Sequence, residues 1–154
     1  MTYALRDHTA DVAVEATGDS LSALFASVAD GLTAASCESV PETGDRFDLT
    51  VRAESPEALL FDYLDRLIYE RDVRGVLPAD HRCSVSGLRE DATGDGTASG
   101  SRGERDDDAW TVDCSARGVP LEDVTAREIK AVTYSEMTLE RRGDEWYAYV
   151  VFDV

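Results

Sequence analysis

The stretch LERRGDEWYAYVVFDV, residues 139–154, decides the fold. Arg142-Gly143-Asp144 is a turn signal between two runs of strand-forming residues. After the turn, Trp146, Ala148, Val150, Phe152 and Val154 share one face, and Tyr147, Tyr149, Val151 and Asp153 share the other. Two strands joined by so short a turn run antiparallel. A hydrophobic strand at a chain end must be tied into a sheet, because ends otherwise fray. This strand nevertheless carries an acid, Asp153, one residue before Val154 and its terminal carboxylate.

Upstream, the pattern alternates between strands and helices. Val12, Val14 and Ala16 alternate with Asp11, Ala13 and Glu15, which predicts a half-buried strand. Gly18 breaks it, and Asp19 or Ser20 can cap a following helix. Leu21, Phe25, Val28 and Leu32 make the apolar stripe of that helix. RFDLTVRAE, residues 46–54, alternates again. Ser55-Pro56-Glu57 then starts a second helix: Ser55 caps, Pro56 sits where no N–H is needed, and Glu57 meets the positive end of the dipole. Leu60, Tyr63, Leu64, Leu67 and Ile68 line its apolar side. HRCSVSGL and AWTVDCSARG read as two more strands, and LEDVTAREI as a short helical piece before the final hairpin. The order is strand, helix, strand, helix and four strands. It predicts an α+β fold, an antiparallel or mixed β-sheet with two main helices packed on one face. The length of 154 residues suits one domain, 1–154. Residues 89–108 hold no apolar residue larger than alanine, so they are expected to form a flexible, acidic, Gly/Ser-rich hairpin insertion.

Composition excludes several classes. No apolar run approaches the roughly 20 residues that cross a bilayer, and MTYALRDHTADV has neither the basic nor the apolar region of a signal peptide, so a cytoplasmic protein is expected. Cys37, Cys83 and Cys114 form no CxxC pair, which fits reduced, partly buried thiols rather than a zinc site. With 32 acidic and 15 basic residues the net charge is −17, which disfavours direct nucleic-acid binding. The acids are spread along the chain, and 14 of the 15 basic residues are arginine. That pattern fits a halophilic cytoplasm, where salt screens the repulsion, better than an acidic partner-binding surface.

Candidate chemistry is sparse. Asp11 and Asp153 each lie opposite their strand's main apolar face. If the first and last strands share a sheet, both carboxylates project from one side. Close carboxylates repel unless a proton or a cation intervenes, and a hard divalent ion takes oxygen ligands of this kind. Val154 would add a backbone or terminal oxygen. The plain alternative is two solvated acids. His8 is either a ligand or proton carrier, or a residue that orients the turn before the strand. Lys130 is the only lysine, and an ammonium is not interchangeable with a guanidinium, so it is a candidate contact to a carboxylate or phosphate. Ser135 has no histidine partner in sight, and no P-loop, GxGxxG or GxSxG is present, so no nucleophile–base pair is predicted.

DHTADVAVEATGDSLSALFASVADGL (residues 7–32), KAVTYSEM (130–137) and the ending YVVFDV (149–154) together resemble the archease family, as does the leucine-rich segment SPEALLFDYLDRLIYERDV. The resemblance spans nearly the whole chain except 89–108, where the family usually has a short hairpin. Many members carry histidine where this chain has Ser135. The resemblance implies an accessory protein, not an enzyme. It would assist the RtcB-type tRNA-splicing RNA ligase through guanylylation and multiple turnover. It also implies a bound divalent metal, typically calcium, with Asp11, Asp153 and Val154 as ligands, and a functional Lys130. Two other classes stay open. One is a free-standing metal-dependent hydrolase, for which only His8 offers a base. The other is a general chaperone-like scaffold.

Overall fold

The computed structural model describes residues 2–8, 11–87 and 110–154. The side chains of Thr2 and of residues 5–8 lie outside that description, as does the insertion expected at 89–108. The elements run β1 (Thr2–His8), β2 (Asp11–Gly18), α1 (Leu21–Ser36), β3 (Asp45–Ala53) and α2 (Pro56–Arg74). They continue as β4 (Val76–Gly87), β5 (Trp110–Pro120), a 3-10 turn (Leu121–Asp123), β6 (Ala131–Arg142) and β7 (Glu145–Asp153). The fold is α+β with two helices, and every strand pairing is antiparallel.

The strands form two sheets rather than one. One has the order β1-β2-β7-β6 and the other β3-β5-β4. The first and last hairpins therefore join through β2 and β7, and the middle strands make a separate sheet. Periodicity assigns a residue to a face but does not name the neighbouring strand, so this division was not visible in the pattern. Both helices pack against strands of each sheet, so neither is confined to one face of a single sheet. Their buried stripes (Leu24, Phe25, Val28 and Leu32; Leu60, Tyr63, Leu64 and Leu67) join Val14, Leu49, Val112, Val150 and Phe152 in one core cluster.

The helix starts follow the residues. Ser20 Oγ accepts from Ala23 N at 3.0 Å and Ser55 Oγ from Ala58 N at 3.1 Å, each relieving an unpaired first-turn donor. Helix α1 presses close to β2 at Gly31, where a Cβ would sit 2.5 Å from Val14 Cγ1. Helix α2 ends on Gly75 in the left-handed region (φ 67°), and β4 begins one residue later, five residues before the strand expected at His81.

Three further expectations are corrected. The N-terminal segment forms β1, a strand that the chain's first residues did not announce, pairing with β2 from Thr2↔Thr17 to His8↔Asp11. The piece LEDVTAREI is helical only at Leu121–Asp123. Beyond it, Arg127 donates from its backbone N to Ser36 O at 2.8 Å and from Nε to Ala35 O at 3.1 Å. It thereby satisfies carbonyls left open at the end of α1, a tertiary use of the backbone that competes with a local helix. Finally, KAVTYSEM is not a regular strand. β6 pairs Thr133 with Val151 and then Thr138 with Tyr149, so the four residues Tyr134–Met137 stand opposite Val150 alone.

Candidate functional site

The alternation of β2 and β7 places Asp11 and Asp153 outward, and the sheet makes them neighbours. They are directly opposed in the β2–β7 register, so their side chains leave the same face. Asp11 is half-buried and Asp153 exposed. Beneath them, Val12 and Phe152 point inward and are 1% and 0% exposed, which anchors both strand ends on the core.

The same row extends across the whole sheet. His8 of β1 pairs with Asp11, and Ala131 of β6 pairs with Asp153. Lys130 precedes Ala131, and its backbone N donates to Asp153 O at 2.8 Å. Ile129, 1% exposed, pins that segment to the core, so the exposed Lys130 side chain starts beside Asp153. Val154 follows directly, half-buried against the core cluster. Residues far apart in sequence (His8, Asp11, Lys130, Asp153 and Val154) thus meet at one end of one four-stranded sheet. Ser135 is not among them; it lies exposed in the β6 bulge.

The rest of the outer face is tied up differently. Tyr147 OH donates to Glu15 Oε2 at 2.9 Å, and the Arg142 guanidinium lies 3.6 Å from the centre of the Tyr147 ring. Burial and the Glu15 carboxylate both push the Tyr147 phenol up, which keeps it a donor. Arg142 is held in turn by Glu140, at 2.5 Å.

The donor chemistry of the row fits a hard divalent cation: two opposed carboxylates and a neighbouring main-chain oxygen at Val154, with an ion of this class completing its shell from water. Among the described residues no group of three or more His, Cys, Asp or Glu side chains is arranged to hold a metal.

Sequence reasoning missed two features. One is the placement of Tyr134, whose ring stacks on Phe61 of α2. Its signal was present: the inward parity switches from Val132 to Met137 and Leu139, which requires an odd number of extra residues between them. The other is His81, which is 6% exposed at a β4 bulge where the register shifts between Ala79 and Arg82. Asp80 there has φ 53°, in the left-handed region. No sequence pattern marks it.

The fold and this row define a class: a small α+β domain with an acidic sheet end and, among the described residues, no helix long and apolar enough to cross a membrane. Residues 3–154 match the family described as Archease protein family (MTH1598/TM1083), and the chain belongs to the archease family. Similar curated relatives include Protein archease of Pyrococcus furiosus, 29% identical over 96% of this chain and 95% of its own. Protein archease of Methanosarcina barkeri is 28% identical over 99% and 95%. Among solved structures, the solution structure of Methanobacterium thermoautotrophicum protein 1598 superposes with a TM-score of 0.72 at 22% identity, covering 99% of this chain and 98% of its own. The crystal structure of a Thermotoga maritima archease, described as a possible chaperone, gives 0.59 at 22% identity, covering 97% and 94%. At those identities the structures support the fold.

Proposed function

We propose that this chain is an accessory protein of an RtcB-type tRNA-splicing RNA ligase in the cytoplasm, promoting guanylylation of the ligase and its repeated turnover. The observation that carries this reading is the convergence of His8, Asp11 and Asp153 in one row at one end of the sheet, with Lys130 and Val154 next to it in the chain. A site built for presentation to another protein belongs at such a rim, on rigid strands with exposed tips. Asp11, Asp153 and a Val154 oxygen would hold a divalent ion of the calcium class, which when bound supplies positive charge for oxyanions. Lys130 would contribute a mobile ammonium beside it, suited to a ligase carboxylate or a nucleotide phosphate. The chain itself would turn over no substrate.

The test is GMP loading of the cognate ligase, with and without this protein. Wild-type protein should accelerate loading, and Asp153→Ala should lose most of the acceleration. Full stimulation by Asp153→Ala would overturn the row as the working site. Calcium titration by calorimetry gives a second readout: Asp11→Asn and Asp153→Asn should each weaken binding by about tenfold or more. A general chaperone would instead bind unrelated unfolded chains with an affinity indifferent to Asp11 and Lys130.

A further inference from the structure

Among the described residues, four large apolar side chains are exposed: Tyr3 at 41%, Tyr69 at 57%, Val73 at 62% and Tyr134 at 51%. Three of the four belong to α2 and to β6, which pack against each other. Tyr134 leaves the β6 bulge and stacks on Phe61, with ring centroids 4.7 Å apart and planes 16° from parallel. Phe61, Asp65, Tyr69 and Val73 occupy successive i+4 positions of α2, a ridge about 18 Å long in which one exposed carboxylate separates the ring pair from the two apolar residues. Scattered surface apolar residues need no explanation, but an aromatic pair whose Phe61 shares a helix ridge with two exposed apolar residues, with a carboxylate between them, is a mixed apolar and acidic surface.

The charges around the patch say what it fits. The cations of α2 are engaged within the protein. Arg66 and Arg74 both bind the Glu70 carboxylate, at 2.7 and 2.5 Å, and Arg71 lies 3.3 Å from Asp72 and 3.7 Å from Glu128. The anions nearest the rings are not so engaged: Glu54, Glu57, Asp62 and Asp65 are exposed and make no ion pair among the described residues. Glu57 and Asp65 lie one turn either side of Phe61 on α2, and Asp62 follows Phe61 directly, so carboxylates border the stacked pair. Burial, and then Asp62, Glu57 and Glu54, raise the Tyr134 phenol. Burial, and then Asp65, do the same to Asp62. An exposed aromatic face bordered by carboxylates attracts a flat cation. A guanidinium stacks on rings while donating to carboxylates, whereas an anionic polymer is repelled.

We propose that the α2–β6 face is the docking surface for an arginine-bearing amphipathic segment of a partner protein. A guanidinium would stack on the Tyr134–Phe61 pair between Glu57 and Asp62, and apolar side chains would lie on Tyr69 and Val73. This surface is built from residues other than the Asp11–Asp153 row, so its test is separate from ligase stimulation.

The probe is a synthetic peptide of about 14 residues with leucine and arginine at helical spacing, titrated into the full isotope-labelled chain and followed by backbone amide shifts. Shifts should concentrate at residues 54–73 and 133–138. Tyr134→Leu and Tyr69→Ser should each weaken binding about fivefold, and replacing the peptide's arginines by glutamine should weaken it about tenfold. Tyr69 is exposed, so Tyr69→Ser keeps the fold and carries the test even if Tyr134→Leu does not. Shifts spread over the whole acidic surface, or affinities unchanged in Tyr69→Ser, would overturn the proposal. So would a concentration-dependent dimer that Tyr69→Ser dissolves, which would assign the face to a second copy. Competition by a uridine oligonucleotide would overturn it as well.

Discussion

At the scale of single residues, His81 is the clearest case of a side chain whose role only the folded environment creates. Its Nε2 lies 2.9 Å from Thr33 Oγ1, whose own proton is directed to Pro78 O at 2.8 Å. The hydroxyl therefore accepts from Nε2–H, and the ring is neutral with Nδ1 bare and buried. Burial pushes the imidazole down to about 4; the Pro78 and Asp80 contacts oppose this and Arg46 adds to it. A depressed histidine contributes stability that is fully present above its unfolded pKa near 6.5 and is lost as pH falls toward 4. The unfolding free energy should drop by about 2 kcal/mol between pH 7.5 and 5 from this group alone. Urea midpoints at the two pH values measure it, and His81→Gln should flatten the difference. An equally steep loss in His81→Gln would assign the effect to the carboxylates. Asp153 contrasts with His81: its outward direction was legible from alternation alone, while its opposition to Asp11 was not.

At the scale of elements, the helix caps and apolar stripes were written locally, and the structure reproduces them at Ser20, Ser55 and the buried leucines. The contact between elements was not. Gly31 looks like a weak helix residue, since alanine would favour the helix by about 1 kcal/mol. The space at Val14 reverses that preference, because a Cβ 2.5 Å from a stiff β-branched side chain forces α1 away from β2, at a cost of about 1–3 kcal/mol. Gly31→Ala should therefore lose about 1 kcal/mol net, read from chemical denaturation. Pairing it with Val14→Ala should give a coupling that a stripe-only account does not contain. A Gly31→Ala protein more stable than wild type would show that propensity outweighs packing here. The β6 bulge is the other element whose details mattered. Its parity switch could be read in the sequence, but the ring it delivers to Phe61 could not.

At the scale of the whole molecule, net charge dominates. At −17 on 154 residues, mutual repulsion opposes the compact state, and among the described residues Arg46, Arg66, Arg74 and Arg82 relieve it only locally, in pairs at Glu70 and Asp80. Added salt should shorten the range of that repulsion from about 10 Å at 0.1 M to about 3 Å at 1 M. The melting temperature is expected to rise steeply between 0.1 and 2 M potassium chloride, and sucrose at equal osmolality should raise it less. A melting temperature flat in salt would remove charge repulsion as the governing term.

The sequence by itself determined the two long helices with their caps, most of the strands and their inward faces, the closing hairpin and the family, because each is written in a period of two or 3.6 residues or in short contiguous motifs, whereas β1 and the extended run after Asp123 carry no such signal. It named Asp11 and Asp153, with Val154, as a group on condition that the first and last strands share a sheet, and Lys130 and His8 as separate candidates. Only the tertiary structure decided that the strands divide into two sheets, that β2 pairs with β7, and that those candidates gather at one end of one sheet. The physical reason is that alternation fixes which way a side chain points, while strand partners are fixed by how the whole core packs, and that choice is not recorded in any single segment.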